Sequence, residues 1–309
     1  MKKRLLNLAG VLITTALALA FIMYLGYRLD PPFTQGAMDA IDAFHELPEN
    51  SQDVIVYGSS HAWKGCDPIP LEEKCGLSSY NYGCNWQALN TTLLFLEDSF
   101  RTQSPRYVLI DTYRVGYIKE NTDLDGEIYY TRRISFFEGK RDYLKQCFGH
   151  SIGKYINYYL PLTVFHENWT EIAKENFSKP NLQKWKKTRG FSANSDVEPF
   201  EFPDPAGFEQ EELAEKSIKV LDKMVEICHE NGAELIFFTC PWAGEYSFGD
   251  AMEKYAAEKG CQYLNLFQYV DEIGLDGKTD LQDEGHLNSS GAAKVGSFLG
   301  NYIKENYNV

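Results

Sequence analysis

The sequence predicts an α/β protein whose centre is a parallel sheet of about five strands. Short apolar segments recur along the chain, and amphipathic segments with apolar residues at three- and four-residue spacing separate them. Segments that are apolar nearly throughout, rather than at alternate positions, are typical of parallel strands covered by helices on both faces. The chain has 309 residues, 44% of them hydrophobic, and can therefore bury a core of this size.

Five segments have the character of buried strands, being short, apolar and bounded by turn residues. They are 53–57 (DVIVY), 78–82, 107–111 (YVLID), 234–239 (ELIFFT) and 262–267, of which 78–82 is the weakest.

Four segments between and after these strands have the apolar spacing of helices. They are 86–100, 211–230, 250–258 and 290–306. Asn231 and Gly232 follow the second of them and form a typical helix stop.

We therefore predict a three-layer, flavodoxin-like α/β sandwich over residues 52–309. The alternation of strands and helices is lost in the range 116–205, which is rich in aromatic residues. This range is too long for a plain loop, and we predict a partly helical insertion over the sheet. Its aromatic side chains fill a small core of their own or, if exposed, stack on sugar rings; the core is the favoured reading.

The first 28 residues differ from the rest and predict a transmembrane anchor. Three basic residues lie in MKKR, and residues 5–27 then carry no charged side chain. About 20 residues suffice for a helix to cross the hydrocarbon core. Basic residues before the segment favour a cytoplasmic N-terminus and an exported C-terminal part. A cleavable signal peptide is the alternative, since Ala16, Ala18 and Ala20 could form a cleavage site. We expect residues 29–51 to be a juxtamembrane linker.

Charge and cysteine content exclude some classes of partner. The formal net charge is −14, and three of the basic residues precede the apolar segment, so the exported part is more acidic still. Such a surface repels nucleic acid. The seven cysteines show no CxxC or Cys/His spacing, which predicts that no metal is bound. Outside the cytoplasm, Cys66 and Cys75 could pair, although the fold does not need a disulfide.

The residues that predict chemistry lie at the two ends of the sandwich domain. Gly58, Ser59 and Ser60 follow the first strand, at the carboxyl edge where ligands bind in open α/β sheets. A serine there needs a base within hydrogen-bond reach, and the base needs an orienting group. Asp283 and His286, just before the last helix, have a spacing that lets the carboxylate hold one ring nitrogen.

This arrangement resembles the SGNH, or GDSL-type, hydrolase superfamily. By that resemblance Ser60 is the nucleophile, with Ser59 where the family usually has Asp, and Asp283 and His286 complete a catalytic triad. Gly83, in NYGCN, corresponds to the family's oxyanion-hole glycine, and the Ser60 N–H is a second donor. The similarity covers about 53–113 and 211–307. No cofactor is implied.

The third motif of the family is absent. Where the family has Gly-x-Asn-Asp, this chain has IDTYRVGY, so the oxyanion donor supplied by that Asn is missing. Asn85, Tyr113 or Arg114 could replace it. We also expect His61, Tyr113 and Arg114 to contact substrate, while packing is an equally good explanation for His61. Trp63 and Trp86 either shape the pocket or only pack.

The Gly-Ser-Ser variant and the anchor resemble envelope-modifying members of the superfamily, those of alginate acetylation and teichoic-acid D-alanylation. The resemblance implies an extracytoplasmic serine esterase or O-acyltransferase that acts on a cell-envelope or secreted polysaccharide. A multi-span membrane O-acyltransferase is the implied protein partner. The main alternative is a non-catalytic scaffold that binds polysaccharide or that acyltransferase; a lipase or thioesterase is less favoured.

Overall fold

The computed structural model describes residues 2–29, 32–172, 174–177 and 180–307. Five strands form one parallel sheet: β1 (Val54–Tyr57), β2 (Ser79–Asn81), β3 (Tyr107–Asp111), β4 (Glu234–Thr239) and β5 (Gln262–Asn265). Their spatial order is β2-β1-β3-β4-β5, which is the order of flavodoxin-like open sheets. The predicted α/β fold with a five-stranded parallel sheet is confirmed.

Helices account for most of the remaining described residues. The α-helices are α1 (Lys2–Arg28), α2 (Pro32–His45), α3 (Ser60–Gly65), α4 (Pro68–Cys75), α5 (Leu89–Ser99), α6 (Gly126–Tyr130), α7 (Glu138–Phe148), α8 (Ile152–Tyr159), α9 (Leu162–Phe165), α10 (Leu182–Lys187), α11 (Glu215–Glu230), α12 (Gly249–Lys259), α13 (Val270–Ile273) and α14 (Ser289–Asn306). Short 3-10 helices cover Thr131–Arg133, His166–Glu171, Lys174–Phe177, Pro205–Gly207 and Leu266–Tyr269.

Both faces of the sheet are covered by apolar cores. Successive side chains of a strand point to opposite faces. Ile55 and Tyr57 of β1 therefore pack into the core that contains α2, α5, α11 and α12. Val54 and Val56 pack into the second core, which contains α3, α4 and α14. This two-sided burial explains why the central strands β1, β3 and β4 are apolar at nearly every position.

The insertion packs its aromatic residues largely into the first core. Tyr130, Tyr143 and Tyr158 are all buried there. Trp185 of α10 stacks on Trp63 of α3 with the ring centroids 5.4 Å apart, and this contact joins the insertion to the helix after β1. Beyond α10, the Ser192 N–H donates to the Trp63 carbonyl and the Glu198 N–H to the Leu281 carbonyl. The insertion thus crosses the carboxyl edge of the sheet.

The N-terminal helix stands apart from both cores. Residues 3–26 of α1 form an apolar segment that is exposed over its most hydrophobic 18 residues, with the length and composition of a membrane-spanning helix or of a signal sequence. At the end of α1, a Cβ on Gly26 would lie 2.9 Å from the Leu162 nitrogen, so the helix contacts α9 closely there. Within 29–51, α2 buries Met38, Ile41 and Phe44 in the first core.

Candidate active site

A tight turn after β1 places Ser60 at the start of α3. Gly58 has a φ of +145°, which an L side chain rarely adopts. A Cβ there would also lie 2.8 Å from the Asp111 Cβ and 2.9 Å from the Ala62 Cβ. Ser59 is the N-cap of α3 and its hydroxyl accepts from the His61 N–H at 3.4 Å. Ser59 is thus buried in the cap, and Ser60 is the serine that faces the crevice.

Ser60, His286 and Asp283 form a continuous chain of hydrogen bonds. His286 Nδ1 lies 2.8 Å from Asp283 Oδ1 and 3.1 Å from Oδ2. Because a carboxylate only accepts, Nδ1 carries the proton and Nε2 is left as an acceptor. The Ser60 hydroxyl lies 2.8 Å from Nε2 and donates to it. Ser60 and His286 are 226 residues apart in sequence, and the fold brings their side chains together.

A short hairpin presents the aspartate and the histidine. Strands β6 (Leu281–Asp283) and β7 (His286–Leu287) pair antiparallel, with Asp283 opposite His286. The Gly285 N–H donates to Asp283 Oδ1 at 2.9 Å, and Gln282 Nε2 donates to Oδ2 at 3.0 Å. The carboxylate is therefore fixed on both oxygens before it contacts the imidazole. The hairpin was not expected from sequence, because strands this short carry no pattern of their own.

Asn288 joins this hairpin to the last helix. Its Oδ1 accepts from the Ser290 and Gly291 N–H groups and caps α14. Its Nδ2 donates to the Thr279 carbonyl at 2.7 Å. The position of His286 is therefore fixed by the start of α14.

The electrostatics of the histidine suit a general base. Burial lowers the pKa of His286, the charge of Lys64 lowers it further, and Asp283 only partly opposes this. Burial alone would raise the pKa of Asp283, but its hydrogen bond to His286, with those from Gln282 and Gly285, brings the pKa below its usual value. At neutral pH the pair is therefore a neutral imidazole beside a carboxylate, which can accept the Ser60 proton.

The candidate oxyanion donors differ in how free they are. Ser60 is the first residue of α3, where a backbone N–H has no partner within the helix. The Gly83 N–H donates to Asn81 Oδ1 at 3.0 Å, so this donor is engaged. Asn85 lies half-buried in the same loop, and nothing in the described ranges hydrogen-bonds to its side chain.

The loop after β2 is held against the Ser60 turn. The Cys84 N–H donates to the Gly58 carbonyl at 3.2 Å. A Cβ on Gly83 would lie 3.0 Å from that carbonyl oxygen and 3.3 Å from the Trp63 Cβ. Asn81 Nδ2 in turn donates to the Ala62 and Cys66 carbonyls of α3. The loop that carries Gly83 and Asn85 therefore lies directly beside Ser60.

Three aromatic rings form one wall of the site. His61 stacks on Tyr113 at a centroid distance of 3.4 Å, meets Trp242 edge-on at 4.8 Å and lies 5.2 Å from the His286 ring. Burial lowers the pKa of His61 well below its ordinary value, helped by His286, Arg114 and Lys64, so His61 is neutral. His61 and Tyr113 thus lie at the site, whereas Arg114 places its guanidinium 3.9 Å over the Tyr117 ring.

Asp111 lies beneath the serine turn. Its Oδ1 accepts from the Cys240 N–H at 3.1 Å, and burial raises its pKa to about 7. The side chain ties the end of β3 to the segment after β4 and packs under Gly58. Asp111 therefore supports the turn instead of contacting the crevice.

Three residues of the site were missed from sequence: Lys64, Gln282 and Trp242. Gln282 adjoins the Asp-x-x-His motif, and Trp242 follows the carboxyl end of β4, a position that could have marked it. The sequence around Lys64 gives no sign of a role, because its proximity to His286 arises only when α3 folds against the β6–β7 hairpin. Trp63 donates its indole N–H to the Gly190 carbonyl and packs against Trp185.

Neither metal ligands nor disulfides mark the site. In the described part of the chain, no three His, Cys, Asp or Glu side chains are grouped as a metal would require. All seven cysteines are free thiols, so the open possibility of a Cys66–Cys75 pair is not realised.

Comparisons with known proteins find likenesses among solved structures. No protein-family model matches the chain, and no curated protein matches it. Among solved structures, the chain is similar to the crystal structure of a "putative acylhydrolase" from Bacteroides fragilis, at 12% identity and a TM-score of 0.39, over 85% of this chain and 93% of the other.

Proposed function

We propose that the protein is a serine-dependent acyl-ester hydrolase or O-acyltransferase. The observation that carries the proposal is the hydrogen-bond chain from Ser60 through His286 to Asp283. Nucleophile, base and orienting carboxylate have the order and distances of a Ser-His-Asp triad. They lie at the carboxyl edge of a parallel sheet, where such folds bind ligands.

The geometry supports acyl transfer in two steps. His286 Nε2 takes the proton from the Ser60 hydroxyl as the oxygen attacks the acyl carbon. The carbon–oxygen bond to the alcohol breaks, His286 returns the proton to the leaving alcohol, and the acyl group stays on Ser60. Water or a sugar hydroxyl then gives its proton to His286 as its oxygen attacks the acyl carbon. The bond between the acyl carbon and Ser60 Oγ breaks, and His286 returns the proton to Ser60 Oγ.

The oxyanion hole, meaning the hydrogen-bond donors that would stabilise the oxyanion, is the least complete part of this mechanism. The Ser60 N–H is the free backbone donor. The Gly83 N–H joins it if Asn81 Oδ1 releases it, and Asn85, in the loop beside Ser60, is the side chain proposed to replace the Asn that the superfamily carries in its third motif. A lost donor costs about 10²–10³ in rate.

The proposed substrate is an acylated polysaccharide of the cell envelope or a secreted one. The apolar N-terminal helix supports an extracytoplasmic location for the domain, as a signal anchor would provide. An aromatic wall of His61, Tyr113 and Trp242 beside Ser60 suits a sugar ring. A multi-span O-acyltransferase in the same membrane is the proposed source or receiver of acyl groups.

One observation favours a second candidate, a non-catalytic scaffold that binds the glycan or the acyltransferase. The Gly83 N–H is bonded within the protein, and the third-motif donor is absent, so oxyanion stabilisation is weaker than in a complete SGNH site.

Ester turnover by the full chain separates the two candidates. In detergent, the wild type should hydrolyse p-nitrophenyl acetate, and Ser60→Ala should lower kcat by about 10³-fold or more, because no other group can form the acyl-enzyme. Ser59→Ala is the matched control and should keep most activity. Equal turnover by the Ser60→Ala variant would rule out the proposed nucleophile, and an inactive wild type would favour the scaffold.

A further inference from the structure

A second pocket opens beside the serine site, in the segment that follows β3. It has a volume of about 480 Å³ and is lined by Trp86, Arg114, Tyr117, Lys119, Asp125 and Glu127. We call it the Trp86 pocket. Trp86 comes three residues after Gly83, and Arg114 follows Tyr113, which stacks on His61. The Trp86 pocket and the serine site therefore share two loops at the carboxyl edge of the sheet.

Some buried polar atoms in the Trp86 pocket have no hydrogen-bond partner in the described part of the chain. Glu127 is 1% exposed, and its Oε1 accepts from the Thr91 hydroxyl at 3.0 Å. Among the described residues, nothing hydrogen-bonds to Glu127 Oε2, Asp125 Oδ1 or Arg114 Nε. Buried polar atoms are nearly always paired because leaving them unpaired costs free energy. Three such atoms in one pocket point to a polar ligand.

An aromatic ring is held at the mouth of this pocket. Trp86 is 65% exposed, and its φ of +64° is unusual for a bulky residue. Strained backbone of this kind clusters at ligand sites. Trp86 lies outside α5, which begins at Leu89, and its indole is not part of that helix. In the same pocket, the Arg114 guanidinium stacks over the Tyr117 ring, 3.9 Å from its centroid.

The pocket carries groups of both signs. Arg114 and Lys119 face Asp125 and Glu127, and Lys119 bonds to Asp125 directly. Burial raises the pKa of Glu127 to about 7, and the oxygens of Asp125 and Glu127 that lack partners among the described residues disfavour a phosphate or a carboxylate as ligand. A hydroxyl group both donates and accepts, so it can satisfy an arginine N–H and a carboxylate oxygen together. The apolar face of a sugar ring suits an exposed indole.

We propose that the Trp86 pocket binds an uncharged sugar unit of the polymer whose acyl ester reacts at Ser60. The inference rests on the proposed function for the identity of the reacting group, but the sugar binding itself is independent of catalysis. The pocket then positions the chain of sugars, while the serine site selects the ester.

Direct binding tests this proposal. The full chain carrying Ser60→Ala, in a detergent without a sugar headgroup, is titrated calorimetrically with hexamers of glucose, mannose, galactose and N-acetylglucosamine. At least one neutral hexamer should bind. Trp86→Ala and Glu127→Gln, each added to Ser60→Ala, should raise its Kd about tenfold or more, equivalent to about 1.4 kcal/mol. Trp169→Ala is the control, because Trp169 is 67% exposed and does not line the pocket.

Three results would overturn the proposal. They are the absence of binding by all four neutral hexamers, an unchanged Kd in both pocket variants, and binding of a polyuronate hexamer or inorganic phosphate in preference to the neutral sugars. The ester assay separates this failure from that of the reaction. Sugar binding that depends on Trp86 without any ester turnover leaves the pocket standing and removes the proposed reaction, and Ser60-dependent turnover without sugar binding does the reverse.

Discussion

His286 is held as a neutral base by two effects that act in the same direction. Burial lowers its pKa below the ordinary value of 6.5, and the nearby ammonium of Lys64 lowers it further. In the proposed reaction His286 must be unprotonated to accept the Ser60 proton, so activity should be retained above this pKa and lost as the pH falls through it. The acidic limb of kcat/KM should therefore lie below pH 6.5.

Removal of the Lys64 charge should move that limb. In Lys64→Gln the imidazolium loses a repulsive neighbour, so the pKa of His286 rises and activity begins to fall at a higher pH than in the wild type. The pH profile of kcat/KM measures this shift. Lys74→Gln, the same change at an exposed position of α4, should leave the profile where it was. A limb that stays fixed in Lys64→Gln would contradict this view of the site.

At the scale of single residues, the sequence led to Ser60, Asp283 and His286 because each stands beside a recognisable element boundary. Lys64 and Trp242 act through space on residues that are distant in sequence, and no local pattern reveals that. Arg114 was expected among the substrate contacts of the serine site, and the structure places it in the neighbouring Trp86 pocket.

The β1–α3 turn depends on the absence of a side chain at Gly58. Its positive φ strains any L residue, and the space a Cβ would need is filled by Asp111 and Ala62. Gly58→Ala should therefore destabilise the fold by about 2–4 kcal/mol, from strain and overpacking together. Denaturant titration of the detergent-solubilised chain measures the loss.

Gly76→Ala is the matched comparison. Gly76 also has a positive φ, of +74°, but a Cβ there meets nothing within 4 Å. It should cost only about 1 kcal/mol, from backbone strain alone. Equal losses at the two positions would show that the crowding under the Ser60 turn has no energetic weight.

At the scale of elements, the three central strands β1, β3 and β4 were the most predictable, since parallel strands buried on both faces are apolar at nearly every position. The edge strands β2 and β5 carry more polar residues and a weaker pattern. Helix ends were less predictable. The helix expected over 86–100 begins at Leu89, because the backbone at Trp86 is left-handed. The β6–β7 hairpin is set by contacts of Asp283 and Asn288 with other segments, which sequence spacing alone does not contain.

The whole molecule combines a sheet domain, a crossing insertion and an apolar N-terminal helix. That the insertion is aromatic and partly helical was predictable from its composition, and the burial of Tyr130, Tyr143 and Tyr158 in the first core confirms its packing role. Its path over the carboxyl edge was not, because backbone contacts such as Ser192 to Trp63 depend on the finished fold.

An anchored domain should stay with the membrane. In cells that make the full chain, the protein should resist extraction at alkaline pH, and its N-terminal peptide should still contain the apolar helix, as the proposed anchor requires. Peptide mapping of the membrane fraction tests this. A mature N-terminus after residues 16–20 would instead identify a cleaved signal peptide.

Covalent labelling tests whether Ser60 is the nucleophile. A fluorophosphonate probe reacts with a serine whose hydroxyl is activated by a neighbouring base, and peptide mapping locates the adduct. We predict a single adduct at Ser60 in the full chain, lost in Ser60→Ala and kept in Ser59→Ala. An adduct on Ser59, or labelling that persists when Ser60 is replaced, would contradict this prediction.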